Sequence, residues 1–202
     1  MKKIMFNDRY GLTKAVIEGR KTVTRRHLGK IDYPINRVQG RVCPGKNGEI
    51  YAVVAGESII IMPKYKVGEV VAVAQPYRVL YDKDIVIESN EGIVRMKDCA
   101  GWANKMFVRG DLMPHRIRIT DISCERLQDI TDGECMREGV IDVTYFKIGD
   151  KPYELYAVPT CEDEETFNTP KQAFAALIDK VSSRGTWARN PWVIVYEFEL
   201  VK

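Results

Sequence analysis

The sequence predicts an α+β protein, a mixed and largely antiparallel β-barrel with helices at its margins. Two observations carry this reading. Short apolar or alternating runs of four to ten residues recur from end to end, the period of strands. Only three segments carry helix start and stop signals.

Taken in order, Lys2 to Phe6 reads as a short first strand. Asp8 then caps a helix through Glu18, with Leu12, Ala15 and Val16 as its apolar stripe and Gly19 as its stop. Thr22 to His27 (TVTRRH) is β-branched at its start and alternates, so it reads as a strand. Residues 30–48 are rich in proline and glycine and contain Asn47-Gly48, a turn signal. They read as a loop leading into a hairpin of Glu49 to Val54 and Ser58 to Met62. Val70 to Ala74 (VVAVA) is continuously apolar, the pattern of a strand buried on both faces.

Residues 80–113 are weakly patterned, with short strands at Asp84 to Glu88 and Ile93 to Met96, and the stretch around 76–105 reads as an insertion in a single domain spanning 1–202. His115 to Thr120 (HRIRIT) alternates strictly, which sets Arg116 and Arg118 side by side on one sheet face and Ile117 and Ile119 on the other. Thr131 and Glu134 form a capping box that opens a helix ending at Gly139. Residues 149–168 are polar and acidic and read as a mobile loop. Thr169-Pro170 starts the clearest helix, with Phe174, Leu177, Ile178 and Val181 on its apolar side and Gly185 beyond its end. Trp192 to Val201 is the strongest strand. The expected core includes Val71, Val73, Ile117, Ile119, Ile194, Tyr196 and Phe198.

A chain of 202 residues with 45% hydrophobic and 29% charged residues fits one globular domain. Its apolar runs fall short of the roughly 18 residues of a membrane span, and Met1 to Leu12 lacks a signal-peptide core. Five scattered cysteines without a CxxC argue against a disulfide scaffold and for a reducing compartment, so a cytoplasmic protein without membrane attachment is expected.

The net charge of +3 does not announce a nucleic-acid binder, but its distribution is uneven. Residues 1–30 hold nine Lys/Arg against two acids, a local +7; residues 121–165 hold thirteen Asp/Glu against four Lys/Arg, a local −9. If the fold keeps these segments apart, the first can attract phosphate. If it brings them together, they neutralise each other.

Two local misfits stand out. In Glu18 to His27 (EGRKTVTRRH), alternation gives Thr22, Thr24 and Arg26 one shared polar face beside Lys21. Such a junction suits an anion or a polarised carbonyl; an edge strand guarded by cations is the plain alternative. Glu138 ends the capped helix, where the dipole opposes a carboxylate, an environment suited to a general acid or base. Glu18 breaks the same rule before Gly19.

Other signals are weaker. His27 and His115 lack partners at metal-ligand spacing, and no metal or cofactor is expected. A dinucleotide fingerprint and a Walker loop are both missing. Trp102, beside Asn104 and Lys105, offers either a stacking platform for a base or a packing residue. Trp187, followed by Arg189 and Asn190, carries the same two readings.

The residues Gly19, Lys21, Thr24 and Arg26 match Gly-x-Lys-x-x-(Glu/Thr)-x-Arg, which resembles the signature of ASCH domains in the PUA-like β-barrel superfamily. Glu125 to Thr131 (ERLQDIT), Glu138-Gly139 and Asn190-Pro191-Trp192 resemble the larger ASCH proteins of bacteria and their phages. The resemblance spans roughly 1–30, 63–75 and 106–202. It implies a PUA-like barrel with a cleft for RNA or a modified nucleoside. Thr24, where many ASCH proteins carry Glu, resembles the subgroup of metal-independent amidohydrolases that deacylate N4-acetylcytidine. By motif their catalytic set falls on Lys21, Thr24 and Glu138.

Three expectations follow. The first is a positively charged cleft that binds RNA or a nucleoside, with Arg20, Arg25, Arg26, Arg116, Arg118 and Trp102 as contacts. The second is an amidohydrolase in which Lys21, its charge depressed by burial beside Arg26, activates Thr24 while Glu138 donates a proton to the leaving amine. The third is a phage-derived protein-interaction module that uses the acidic segment 149–168.

Overall fold

The structure is a computed structural model, and it describes residues 1–28, 43–44, 49–54, 57–89, 92–144, 147–148, 151–152, 154–158 and 165–201. Its centre is a mixed sheet of five strands: β1 (Lys3–Ile4), β2 (Val23–His27), β3 (Val70–Val73), β4 (Arg116–Arg126) and β5 (Trp192–Val201). They lie in the order β1-β3-β4-β5-β2. The β1–β3 pair is parallel and the other three are antiparallel. Three helices border the site described below: α1 (Leu12–Ile17), α2 (Asp132–Arg137) and α3 (Pro170–Val181). The chain is therefore α+β, with a largely antiparallel sheet and few helices.

The expected core is the observed one. Val71, Val73, Ile117, Ile119, Ile194, Tyr196 and Phe198 are all buried in a single cluster. β4 continues to Arg126, six residues past Thr120, because the ten-residue β5 pairs along its whole length. That register shifts once, between Glu197 and Phe198, where Thr120 is an extra residue on β4.

β3 is buried on both faces, as its apolar run requires. Val71 and Val73 enter the main cluster, while Ala72 and Ala74 enter a second one with Tyr77, Met96, Val108 and Met113. The segment read as an insertion thus packs on the back of β3. It contains the predicted hairpin, Val86–Ser89 against Gly92–Arg95. Gly101 is held here by close approach, since a Cβ there would stand 2.5 Å from the Tyr77 ring.

Three expectations are corrected. The first helix starts at Leu12 behind Gly11, whose φ of 60° is left-handed, and Asp8 does not cap it. The Asp8 carboxylate instead accepts from the Thr13 hydroxyl and pairs with Lys105 at 2.8 Å. The second hairpin runs Ile50–Val54 against Glu57–Ile61, with Cys43–Pro44 added at its edge. Asn47-Gly48 and most of 30–48 lie outside the described residues. The acidic segment 149–168, in part also outside them, is not simply loop. Tyr156–Ala157 pairs with both Ile141–Asp142 and Thr166–Phe167, because Ala157 and Val158 are buried and need a partnered backbone. Among the described residues, no helix is long and apolar enough to cross a membrane.

Ile119 is fully buried, whereas Arg118 beside it is exposed and pairs with Glu199 at 3.4 Å. In urea unfolding, Ile119→Ala is expected to lower stability by about 2–5 kcal/mol. Arg118→Ala is expected to change it by no more than about 0.5 kcal/mol.

Candidate functional site

The site forms where the ends of α1 and α2 meet the start of β2. Both helices close in the same way. At α1, Gly19 (φ 75°) donates to Val16 O and Arg20 N donates to Ala15 O; at α2, Gly139 (φ 109°) donates to Met136 O and Val140 N to Cys135 O. These are paired 5→2 and 6→1 bonds, which need a left-handed residue at the turn and explain both glycines. Lys21 N also returns to Ala15 O, so the chain leaves α1 tightly and enters β2 with Lys21 turned inward.

That turn places β2 against the C-terminal end of α2. Thr22 N donates to Arg137 O, and Lys21 Nζ donates to Glu138 O at 2.7 Å, two carbonyls that the helix cannot satisfy itself. Lys21 Nζ also donates to Val23 O at 2.8 Å and to Glu138 Oε2 at 2.5 Å. The ammonium is only 2% exposed, and its three protons meet three acceptors. The misfit of Glu138 is resolved here: a buried cation covers both the helix end and the carboxylate.

Glu138 Oε1 accepts from Arg25 Nη1 at 3.2 Å. The Arg25 side chain is fully buried, and its Nε donates to Glu125 at 2.8 Å. Nη2 lies 2.7 Å from Glu125 and 3.1 Å from Glu134, yet is aligned with neither as a hydrogen bond, so those contacts are electrostatic. Glu134 uses its other oxygen in the capping box, accepting from Thr131 N and its hydroxyl at 2.8 Å each. The cap of α2 and the site therefore share one carboxylate.

Burial pulls the Lys21 ammonium below the ordinary lysine value, with Arg26 and Arg25 adding repulsion and Glu138 pulling the other way. Burial also raises Glu125, against the attraction of Arg25. Burial pushes Glu134 up as well, but its bonds to Thr131 and the charge of Arg25 hold it below the usual carboxylate range.

Above the ion pair lies a cavity of about 160 Å³. Lys21, Thr24, Arg25, Arg26 and Glu138 form its polar wall. Phe6 and Leu12 line it from one side, and Phe174, Leu177, Ile178 and Val181 of α3 from another. Thr24 is 4% exposed, and among the described residues its hydroxyl has no hydrogen-bond partner. Arg26 donates to Met5 O at 2.7 Å, and its guanidinium lies 5.6 Å from the centre of the Phe6 ring.

The structure thus brings Lys21, Thr24, Glu138, Arg25 and Arg26 together and separates the other candidates from them. Arg20 is on the surface, paired with Glu18 at 2.7 Å, where the turn after Gly19 directs it. Arg116 and Arg118 are exposed on the sheet face opposite Ile117 and Ile119, so they do not stand at the rim. Trp102 packs against the second cluster, behind β3. The basic and acidic segments are not kept apart: Lys21 and Arg25 are matched by Glu138, Glu125 and Glu134. Glu138 does not stand as a free proton donor, because both of its oxygens accept from cations.

Sequence reading missed Asn7 and the apolar face of α3 as cavity lining. The α3 residues were legible as a helix stripe, but that pattern says only that the face is covered, not by what. Comparison of the chain with protein-family models, with characterised proteins and with solved structures gives no match.

Removing one partner of a buried ion pair strands the other charge. Lys21→Met or Glu138→Gln is expected to lower the unfolding free energy by about 3–5 kcal/mol in denaturant titrations at neutral pH. The pH dependence follows from the depressed lysine. Below the ordinary value of 10.5 the folded chain releases a proton that the unfolded chain still holds, so stability rises with pH across that window. Comparing wild type with Lys21→Met between neutral pH and pH 10 checks this: the rise is expected to flatten in the variant.

Proposed function

We propose that this chain is an ASCH-type domain of the PUA-like kind, with its strands closing into a barrel, and that its cavity binds a modified nucleoside. The carrying observation is the Thr24 hydroxyl, without a hydrogen-bond partner among the described residues, in a cavity with a cationic wall and an apolar one. A nucleobase matches that division, since its faces are apolar and its edge carries carbonyl and amine groups. Arg26 supplies donors to a ring carbonyl, Thr24 can donate or accept, and the α3 side chains cover a ring face.

The surface favours a single nucleoside over an RNA strand. Lys2, Lys14, Arg20, Arg109, Arg118 and Arg137 all pair with carboxylates, Lys14 and Arg20 with the same Glu18, which removes them from a continuous phosphate track.

Hydrolysis of an N4-acyl group is the second reading, favoured by the depressed Lys21 in the same cavity as Thr24. As the neutral amine, Lys21 takes the Thr24 hydroxyl proton while the oxygen attacks the acyl carbon. The C–N4 bond breaks, Lys21 returns the proton to the leaving amine, and water then hydrolyses the Thr24 ester to free acid. In this scheme Glu138 anchors Lys21 and offsets the charge of Arg25.

Calorimetric titration with N4-acetylcytidine and with short single-stranded RNA at two salt concentrations tests the binding. The nucleoside is expected to bind with little salt dependence, and Thr24→Val to weaken it about fivefold, the scale of one hydrogen bond. Steeply salt-dependent binding of RNA alone would replace the nucleoside reading. For catalysis, wild-type protein is expected to release acetate and cytidine, and Thr24→Ala to release neither. If wild type binds the acyl nucleoside without cleaving it, the cavity is a receptor.

A further inference from the structure

A second cavity, of about 320 Å³, adjoins the first and shares Arg26 and His27 with it. A ligand reaching from Thr24 past the Arg26 guanidinium would enter a larger space. Among the described residues, the lining of that space carries no carboxylate. Its cations are Arg26 and Lys64, and among the described residues neither forms an ion pair. Lys64 instead lies over the Tyr65 ring, 5.3 Å from its centre.

The tyrosines add to this polarity. The Tyr65 hydroxyl donates to Lys3 O at 3.0 Å and is spent. The Tyr196 hydroxyl accepts from Lys64 N at 3.0 Å, and among the described residues its own proton has no acceptor. Tyr196 is 2% exposed and lines the cavity. Two cations and one buried O–H thus border a space whose described lining holds no acidic side chain, the donor set that an oxyanion requires; Glu69, engaged by Lys2, acts on the two tyrosines from outside that lining. The walls between them are apolar, with Ile4, Met5 and Ile194, and suit the ring of a sugar more than bulk water.

We infer that the ligand is a nucleoside 5′-monophosphate, its base in the smaller cavity and its sugar phosphate in the larger one between Arg26, Lys64 and Tyr196. This rests on the nucleoside reading above and adds the phosphate to it. The division of volumes agrees: 160 Å³ beside Thr24 for the base and 320 Å³ beyond Arg26 for sugar and phosphate together.

The test compares cytidine, cytidine 5′-monophosphate and inorganic phosphate by calorimetry with wild type, Lys64→Gln and Tyr196→Phe. The monophosphate is expected to bind wild type about tenfold tighter than cytidine, the yield of one or two charge-assisted hydrogen bonds. That ratio is expected to shrink at high salt, to fall towards one in Lys64→Gln, and to narrow in Tyr196→Phe. Lys64 is exposed, so its replacement leaves the core packing untouched. Equal affinities for cytidine and its monophosphate, or a ratio that survives Lys64→Gln, overturn the phosphate site and leave the nucleoside reading standing. Inorganic phosphate binding as tightly as the monophosphate also overturns it, since the anion is then held without the base. If neither nucleoside nor monophosphate binds, both readings fall.

Discussion

The buried contact between Lys21 and Glu138 is the constraint on which the rest of this site depends. Taking a lysine and a glutamate out of water costs several kcal/mol for each ion, and their attraction offsets that only when the remaining donors and acceptors are matched. Here they are: Lys21 meets three oxygens, and Glu138 meets Lys21 and Arg25. Each match fixes a different element. The bond to Glu138 O ends α2, the bond to Val23 O sets the start of β2, and the tight turn at Gly19 ties both to α1. The base of the cavity is consequently rigid, while its walls come from β2 and α3.

That rigidity also decides which groups remain available to a ligand. Lys21 and Glu138 spend their hydrogen-bonding capacity on each other, on Val23 O and on Arg25, and Arg25 is held among Glu125, Glu134 and Glu138, so the three shape the cavity and its field more than they contact an occupant. Among the described residues Thr24 and Arg26 retain capacity; both line the smaller cavity, and Arg26 lines the larger one as well. A binding role asks only for those free groups. An amide-cleaving role asks Lys21 to give up one of three matched protons, and burial is the force that makes this accessible.

The double-sided burial of β3 has a comparable effect on the fold. Its alternate residues enter two separate clusters, so the segment 76–113 is anchored to the sheet that carries the site. Trp102 is drawn into that second cluster, which is why an aromatic beside a cation in the sequence became a packing residue. The charge runs tell the same story: a local excess of +7 and another of −9 describe composition, whereas folding sets Lys21 and Arg25 of the first against Glu125, Glu134 and Glu138 of the second.

By itself the sequence determined the elements whose signals are local. Periodicity placed the core positions of β3, β4 and β5; the Thr131–Glu134 box and Thr169-Pro170 opened two helices; and glycines 19 and 139 closed two, because φ preference and capping act within a few residues. It also marked Lys21, Thr24, Arg26 and Glu138 as misfits for their local settings. It did not separate Arg20 from Arg25, or Arg116 and Arg118 from the site, since alternation gives a face without saying what that face meets. Only the tertiary structure decided that Glu138, 117 residues from Lys21, completes its coordination, and that α3 covers the cavity. Long-range electrostatic matching depends on the path of the whole chain, and no local pattern encodes that path.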